Sequence, residues 1–272
     1  MRQLLATDLD GTILGRDQIF HPNDISVLNQ LGKSKVVRVI ATGRNLHSAL
    51  QVIPADFPID YLVFSSGAGL YDWNRKQILS AFHLGYERAK ELVGIFRKYG
   101  VEHTLHLPIP ENHRFLYSVE QHKHPDFLRY IQLHGSNAVP MNGNVIDQRY
   151  TQTLAFIPDM DLFEKISGLL TDVKSVRATS PIDGKSIWME CFHPRVSKAN
   201  GIRQVCELTN THSSQVTVVG NDYNDLDMLK AFEKAFVVQN APEELRLTHP
   251  QLKGVKEAPL ADWYHRIAFP GN

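Results

Sequence analysis

The sequence predicts an α/β protein with a doubly wound parallel sheet and a second, α+β domain inserted into it. Short apolar runs alternate with helical patterns before residue 83 and again after residue 194, and each run ends in small or polar residues. Such alternation is typical of a parallel sheet with helices on both faces. From about residue 83 the pattern changes, and the segment after Gly100 is richer in Pro, His and Asn. We therefore expect a core of residues 1–82 and 191–272 and an inserted domain of residues 83–190.

The sequence of the first half of the core predicts three buried strands separated by two helices. In chain order these are a strand at residues 4–6, a helix from His21 to Gly32, a strand at 36–41, a helix at 45–52 and a strand at 61–64. The strand segments are short and apolar, whereas the helical segments carry start signals and apolar residues at helical spacing. Ligands of such sheets bind beyond the carboxyl ends of the strands, so we expect the polar residues there to converge on one crevice.

The rest of the sequence predicts the helices and strands of the inserted domain and of the second half of the core. In the inserted domain they are helices at 86–100, 126–133 and 162–170 and strands at 116–119, 153–157 and 187–190. In the core they are a helix after Lys198, a strand at 216–220, a helix from Leu226 and a last strand at 235–238.

Many of the histidines fall in the inserted domain, between His83 and His134, and include His122 and His124. No cysteine lies near them, and they do not follow a two-turn spacing on a predicted helix. We therefore interpret them as solvent-exposed loop residues rather than as a metal site.

Composition and charge are those of an ordinary globular chain. Of 272 residues 43% are hydrophobic, and basic and acidic side chains are equal in number, 29 each. A nucleic-acid partner would need a basic excess, and no apolar run reaches the ~18 residues of a membrane span. No signal peptide precedes the first strand, and Cys191 and Cys206 are too few for a disulfide framework. We expect a cytoplasmic protein, a monomer or weak homodimer, with a small-molecule substrate.

Two carboxylates follow the first predicted strand, in the stretch Asp8-Leu9-Asp10-Gly11-Thr12. Side chains repeat with period two along a strand, so Asp8 and Asp10 leave the same face roughly 6–7 Å apart. Paired carboxylates repel each other and are kept where a cation lies between them or where proton transfer is needed. Asp-Gly is also a common turn signal, so this pair alone does not define a site.

Three further polar strand ends and a lysine are expected beside this pair. They are Thr42-Gly43-Arg44, Lys198 and the segment 221–225, which reads Asn-Asp-Tyr-Asn-Asp. Oxygen ligands in this number suit Mg²⁺, whereas Thr42, the N–H groups around Gly43 at a helix N-terminus and Lys198 suit an anion. Acids for a metal and donors for an anion indicate a metal-assisted reaction of a phosphate ester. One carboxylate can serve as nucleophile and the other as general acid and base.

With these residues in order, the sequence resembles the haloacid-dehalogenase-like (HAD) phosphatases of the Cof-like branch. In that family a large cap is inserted between the second and third motifs. Residues 8–12 match the first motif, 42–44 the second, Ser197-Lys198 the third and 220–225 the fourth. The resemblance covers nearly the whole chain and is weakest within 100–180.

The resemblance implies a Rossmann-like core and a role for each matching residue. Asp8 is implied as the nucleophile and Asp10 as the general acid/base, with the Asp10 backbone carbonyl on the metal. Thr42 is implied to bind phosphate, and Lys198 to bridge nucleophile and phosphate. The implied cofactor is Mg²⁺, with Asp225 among its ligands, and the inserted α+β cap is implied to close over the core and select the substrate.

The fourth motif departs from the family pattern at its first metal ligand, where Asn221 replaces the usual Asp. An amide oxygen can still ligate Mg²⁺ but brings no charge, so we expect weaker metal binding and a larger share for Asp225. Asp222 is the next residue, and an adjacent strand residue faces the other way. After the third strand Ser66 stands where the family usually has Asn.

Several other side chains are candidates for the substrate site or its surroundings. Arg44 either contacts phosphate or forms a surface ion pair, and Ser66, Asp222 and Asn224 are placed near the substrate. Asn240 is expected to line the site through its backbone. Trp73, Trp188 and Trp263 are interpreted as core or interface residues, and Cys191 and Cys206 as small buried apolar ones.

The function most consistent with these residues is Mg²⁺-dependent hydrolysis of a small phosphate ester, such as a sugar phosphate or a phosphorylated cofactor. One alternative is a sugar-phosphate phosphotransferase or mutase on the same scaffold. The other is a phosphate-binding protein whose chemistry has decayed, which only Asn221 favours.

Overall fold

The computed structural model describes residues 2–119, 124–180 and 182–268. The chain forms two compact units, one made of Met1–Ser80 and Ser197–Asn272 and the other of Ala81–Val196. The second unit extends beyond the interval 83–190 at both ends. At its C-terminal end, the strand expected at 187–190 continues to Phe192.

The strands fall into one sheet in each unit. In chain order they are β1 (Leu4–Thr7), β2 (Val37–Ala41), β3 (Tyr61–Phe64), β4 (Gly69–Asp72), β5 (Gln77–Ala81), β6 (His103–His106), β7 (Phe115–Tyr117), β8 (Ala138–Pro140), β9 (Gln152–Ile157), β10 (Lys174–Thr179), β11 (Ile187–Phe192), β12 (Val216–Gly220), β13 (Lys234–Val238) and β14 (Gln251–Leu252).

The helices connect these strands or follow them. In chain order they are α1 (Pro22–Lys33), α2 (Leu46–Val52), α3 (Tyr86–Lys98), α4 (Pro125–His134), α5 (Met160–Ser167), α6 (Lys198–Thr209), α7 (Leu226–Ala231), α8 (Glu243–Thr248) and α9 (Pro259–Trp263). A π-helical turn, Tyr264–Ala268, follows α9.

The sheet of the first unit has the order β14-β13-β12-β1-β2-β3-β4-β5. Neighbours from β14 to β3 run parallel, and β4 pairs antiparallel with β3. In β1, Thr7 lies opposite Val219 of β12 and Ile40 of β2, so all three strands end at the same edge of the sheet. The predicted α/β fold class with a doubly wound parallel sheet is confirmed.

Local sequence explains the helices that flank this sheet. Helix α1 begins where expected, because Pro22 fits the first helical turn and the His21 ring accepts a hydrogen bond from Asn23 N–H. Gly32 does not end it, since α1 continues to Lys33. In α6, Ile202 and Val205 are fully buried in the same apolar cluster as Leu4 of β1. Burial of this face holds α6 against the sheet.

The sheet of the second unit has the order β10-β11-β9-β6-β7-β8. Its neighbours are antiparallel except β7 and β8, which run parallel. Side chains alternate along β11: Trp188 packs with Phe156 and Phe127, whereas Met189 packs in the cluster that contains Leu92. Both faces of this sheet are therefore covered by apolar side chains.

Several elements were not expected from sequence. Strands β4, β5, β6, β8, β10 and β14 were not predicted. His103 and His106 are buried within β6, so their interpretation as exposed loop residues is wrong. His122 lies outside the described residues. The three tryptophans and both cysteines are buried, as expected.

Candidate active site

The site lies where β1, β2 and β12 end side by side. Asp8 follows Thr7 of β1, Thr42 follows Ala41 of β2 and Asn221 follows Gly220 of β12. Asp8 continues the sheet ladder, since its N–H donates to Val219 O at 2.8 Å. The expected convergence of polar strand ends is therefore observed within the first unit.

Lys198 links two of these carboxylates. Its Nζ donates to Asp8 Oδ1 at 2.6 Å and to Asp225 Oδ1 at 2.7 Å. Lys198 is the first residue of α6, and the Ser197 side chain caps that helix by accepting from Asn200 N–H. The capped helix start therefore fixes the backbone from which the ammonium reaches Asp8.

Burial dominates the electrostatics of this group, because all three charges are almost fully removed from water. Burial opposes the ammonium charge of Lys198, but Asp225 and Asp8 outweigh it and raise its pKa, so Lys198 stays protonated. Burial, with repulsion from Asp225, raises the pKa of Asp8 to about 7, and Lys198 opposes this rise. A cation bound to the remaining oxygen of Asp8 would favour its ionised, nucleophilic form.

Asp225 organises the loop after β12. One of its carboxylate oxygens accepts from Lys198, and the other accepts from Asn221 N–H at 2.8 Å and Asp222 N–H at 3.1 Å. Both oxygens are thus engaged within the protein. Asp225 therefore positions Lys198 and the loop, and its role as a direct metal ligand stays a prediction.

The second oxygen of Asp8 faces Thr12 and Asn221. Thr12 Oγ1 donates to Asp8 Oδ2 at 3.0 Å and lies 3.2 Å from the Asn221 amide. The chain reaches this arrangement through Gly11, which has φ +77°, and a Cβ there would lie 2.4 Å from the amide of Asn221. A side chain at this position would both strain the turn and displace Asn221.

Three potential ligand atoms meet at this point: Asp8 Oδ2, the Asp10 backbone oxygen and the Asn221 side-chain amide. The inward amide atom of Asn221 lies 3.1 Å from Asp8 Oδ2 and 3.1 Å from Asp10 O. Adjacent oxygen ligands of an octahedral Mg²⁺ are about 2.9 Å apart, from bonds of about 2.0–2.1 Å. With its oxygen inward, Asn221 therefore lies close to ligand spacing from both Asp8 Oδ2 and Asp10 O, as a small divalent cation requires.

Side-chain clusters elsewhere do not compete with this set. Within residues 2–119, 124–180 and 182–268, no group of three or more His, Cys, Asp or Glu side chains is arranged to hold a metal ion. A cation at Asp8 would thus depend on a backbone carbonyl and an amide oxygen as well as on the carboxylate.

Asp10 has a different partner from Asp8. Arg44 binds its carboxylate with two hydrogen bonds, from Nε to Oδ2 and from Nη2 to Oδ1, both 2.7 Å. Arg44 is itself held by Ser48, whose Oγ accepts from Arg44 Nη1 at 3.1 Å. Of the two roles considered for Arg44, the structure shows the ion pair, and its partner is a member of the site.

The loop after β2 meets the loop after β3. Thr42 Oγ1 accepts from Arg44 N–H at 3.1 Å, and Thr42 O accepts from Ser66 N–H at 3.0 Å. A Cβ built on Gly43 would lie 3.6 Å from both Ser66 Oγ and Asn224 Nδ2, so these side chains converge there. Helix α2 starts only at Leu46, so Gly43 belongs to the preceding loop and not to the helix N-terminus.

The loop after β3 has an unusual backbone. Ser65, Ser66 and Gly67 are consecutive residues with φ of 49°, 56° and 99°. A Cβ on Gly67 would lie 2.2 Å from Ser197 O, so only glycine allows this loop to approach the start of α6. Left-handed serines cost of order 1–3 kcal/mol each and cluster at functional sites.

The remaining candidates are placed as follows. Asp222 caps the turn after β12 by accepting from Tyr223 N–H at 2.7 Å, so it does not join Asp8 at the metal position. Asn240 approaches the site through its side chain and not through its backbone, because its Nδ2 donates to Gly11 O at 2.7 Å. Thr12, the last residue of the first motif, also belongs to the site, because its hydroxyl donates to Asp8 Oδ2.

Comparison with known proteins defines the family. A model of the haloacid dehalogenase-like hydrolases matches residues 5–249, and the chain belongs to this family. YxeH of Bacillus subtilis (strain 168) is 24% identical over 279 residues, covering 99% of each chain. Pyridoxal phosphate phosphatase YbhA of Escherichia coli (strain K12) is 20% identical over 257 residues, covering 90% of each chain.

A solved structure shows the same fold. The HAD subclass IIB sugar phosphatase BT4131 superposes with a TM-score of 0.76 at 17% identity, covering 97% of this chain and 98% of the other. The chain is an enzyme of the phosphatase group of its family, whose members generally use a divalent metal and act on small phosphate substrates. In the described part of the chain no helix is long and apolar enough to cross a membrane.

Proposed function

We propose that the protein is a Mg²⁺-dependent phosphomonoester hydrolase that works through an aspartyl-phosphate on Asp8. The observation that carries this proposal is the buried bridge from Lys198 to Asp8, which leaves the other Asp8 oxygen facing Thr12 and Asn221. A carboxylate is a usable nucleophile at neutral pH when a cation keeps it ionised. Lys198 also supplies positive charge where a phosphoryl group would carry negative charge.

The chemistry has two steps, and Asp10 serves in both. In the first, Asp10 turns one oxygen away from Arg44 and carries a proton on it. An Asp8 oxygen then attacks phosphorus, the ester P–O bond breaks and Asp10 gives that proton to the leaving alkoxide. In the second, water attacks the phosphorus of the aspartyl-phosphate, Asp10 takes a proton from that water and the P–O bond to Asp8 breaks. The products are the alcohol and inorganic phosphate, and both side chains return to their starting state.

Other residues of the site bind and orient. Thr42, Gly43 and Lys198 are proposed to hold the phosphoryl group, with Ser66 and Asn224 beside it. Mg²⁺ would be held by Asp8, the Asp10 carbonyl and Asn221, and when bound it would supply positive charge at the nucleophile and the phosphoryl oxygens.

The substrate class is a small phosphate ester, either a sugar phosphate or a phosphorylated cofactor. The names of BT4131 and YbhA support one class each, since they describe a sugar phosphatase and a pyridoxal phosphate phosphatase. Two reduced, buried cysteines agree with a cytoplasmic location. The equal numbers of acidic and basic side chains agree with a small-molecule substrate rather than a nucleic acid.

The test is phosphate release from p-nitrophenyl phosphate and from a panel of sugar and cofactor phosphates, with Mg²⁺ and with EDTA. We expect release that requires Mg²⁺ and that falls at least about 10³-fold in Asp8→Asn, since that change removes the nucleophile. Asp10→Asn should nearly abolish release. Asp56→Asn is the matched control, because Asp56 is an exposed carboxylate of the same unit.

Two results would contradict the proposal. Equal release by Asp8→Asn and by the unchanged protein would remove Asp8 from the reaction. Transfer of phosphate between sugar positions, activated by a phosphorylated sugar and without net phosphate release, would identify a mutase instead.

A further inference from the structure

The Asn221 side chain has two orientations of nearly equal shape, because rotating a planar amide by half a turn exchanges its oxygen and nitrogen. The inward atom lies 3.1 Å from Asp8 Oδ2, 3.1 Å from Asp10 O and 3.2 Å from Thr12 Oγ1. The choice of inward atom decides whether these contacts attract or repel.

With the nitrogen inward, all of these contacts become attractive. The two N–H bonds of the amide are then shared among Asp8 Oδ2, Asp10 O and Thr12 Oγ1, while the Thr12 hydroxyl donates its own hydrogen to Asp8 Oδ2. Each oxygen in the group therefore has a donor. No cation is needed for this arrangement to be stable.

With the oxygen inward, only Thr12 offers a hydrogen to the group, and the Asn221 oxygen faces Asp8 Oδ2 and Asp10 O, each at 3.1 Å. Unpaired acceptors this close repel one another. Their spacing is close to that of adjacent ligands on an octahedral divalent cation, about 2.9 Å. This orientation is therefore favourable only when a cation lies among the oxygens.

We propose that Asn221 is a two-position amide: its NH₂ group is inward in the metal-free protein, and its carbonyl oxygen turns inward when a divalent cation binds. The amide thus competes with the cation for Asp8 and Asp10. An aspartate at this position has no nitrogen and could not make the metal-free network at neutral pH. Asparagine therefore gives a stable metal-free site and a weaker cation site.

This inference rests on the cation position in the proposed function but not on turnover. Its test is cation binding without any substrate, so its failure and the failure of the phosphatase proposal are distinguishable. If the protein hydrolyses phosphate esters but the amide does not rotate, the phosphatase proposal stands and the two-position amide is refuted. If the amide rotates but no ester is hydrolysed, the two-position amide stands and the phosphatase proposal is refuted.

The first experiment compares Asn221→Asp with the unchanged protein by thermal unfolding in EDTA and over a range of Mg²⁺ concentrations. Without metal, Asn221→Asp should melt lower by roughly 3 °C or more, because its network of donors is lost. Its Mg²⁺ dissociation constant should be at least tenfold lower, since the site gains a charge. Asn144→Asp adds the same charge at an exposed position away from the site and should change neither quantity.

The second experiment follows the amide itself in the unchanged protein by ¹⁵N NMR. The Asn221 side-chain NH₂ pair is assigned by its absence in Asn221→Asp. We expect protection from exchange in EDTA, since the NH₂ is hydrogen-bonded, and a shift with loss of protection on adding Mg²⁺. Mg²⁺ binding that leaves these resonances unmoved, or an Asn221→Asp variant as stable as the unchanged protein in EDTA, would overturn the proposal.

Discussion

Replacement of Asp225 by Asn tests whether the buried charges act as one unit. Asp225 accepts from Lys198 Nζ with one oxygen and from two backbone N–H groups of its own loop with the other. Asparagine keeps the size but has one oxygen and one NH₂ group. One set of donors must therefore face the NH₂ group and lose its acceptor.

The expected loss of stability in Asp225→Asn follows from burial, because the side chains of both Lys198 and Asp225 are 0% exposed. Removing one partner of a buried ion pair costs about 3–5 kcal/mol, since the other charge stays in a region without water. At about 2–4 °C per kcal/mol for a chain of this size, the unit that contains the site should melt roughly 10 °C lower. Turnover should also fall, because Lys198 would keep Asp8 as its only carboxylate partner.

The assay is thermal unfolding followed by circular dichroism, with Asp222→Asn as the matched control. Asp222 lies three residues earlier and caps the same turn by accepting from Tyr223 N–H. Asparagine caps as well as aspartate, so this control should melt within about 2 °C of the unchanged protein. If both variants melt at the same temperature, the Lys198 bridge contributes no stability and the reasoning from burial fails.

Three more predictions concern the loop after β3, the buried Asp24 and the pair of Arg44 with Asp10. Gly67→Ala should destabilise by about 3 kcal/mol or more, because its Cβ would overlap the backbone before α6, whereas Gly94→Ala in α3 should stabilise by up to about 1 kcal/mol in urea unfolding. Burial raises the pKa of Asp24 from 3.8 to about 6, so stability should fall by up to about 3 kcal/mol as pH rises from about 4 to 6. Asp24→Asn should lack this fall. Arg44→Lys should lower kcat at least tenfold through loss of the two-point grip on Asp10, yet change stability by less than about 1 kcal/mol, because the pair is partly exposed.

The strands that carry the site could be predicted from sequence because their signals are local. Each is a short β-branched or apolar run closed by turn residues, and the motif residues stand immediately after it. The same signals are weak in β6 and β10, whose sequences are HTLH and KSVRAT. There the neighbouring strands and helices decide the structure, so tertiary context overrides local preference.

The partners of the site residues cannot be derived from local sequence signals, because they are distant in the chain; the family resemblance alone implied that Lys198 meets Asp8. Lys198 meets Asp8 across 190 positions, and Asn240 meets Gly11 across 229. The left-handed conformations of Ser65 and Ser66 are equally hidden, since serine has no local preference for them. The sequence therefore indicates which residues take part, and the packing of α6 and the β12 loop determines what each one touches.

The two carboxylates of the first motif show why partners matter for chemistry. Asp8 is buried against the ammonium of Lys198, whereas Asp10 is about half exposed and gripped by the guanidinium of Arg44. A nucleophile and a proton carrier need such different surroundings, because one must approach phosphorus and the other must exchange protons with solvent or substrate. Arg44 lies in the loop after β2, the strand that pairs with β1, but Lys198 lies in the segment that follows the second unit. The carboxylate partner of Asp10 thus comes from the first 80 residues. The partners of Asp8 come from segments that follow an insertion of more than 100 residues in the chain.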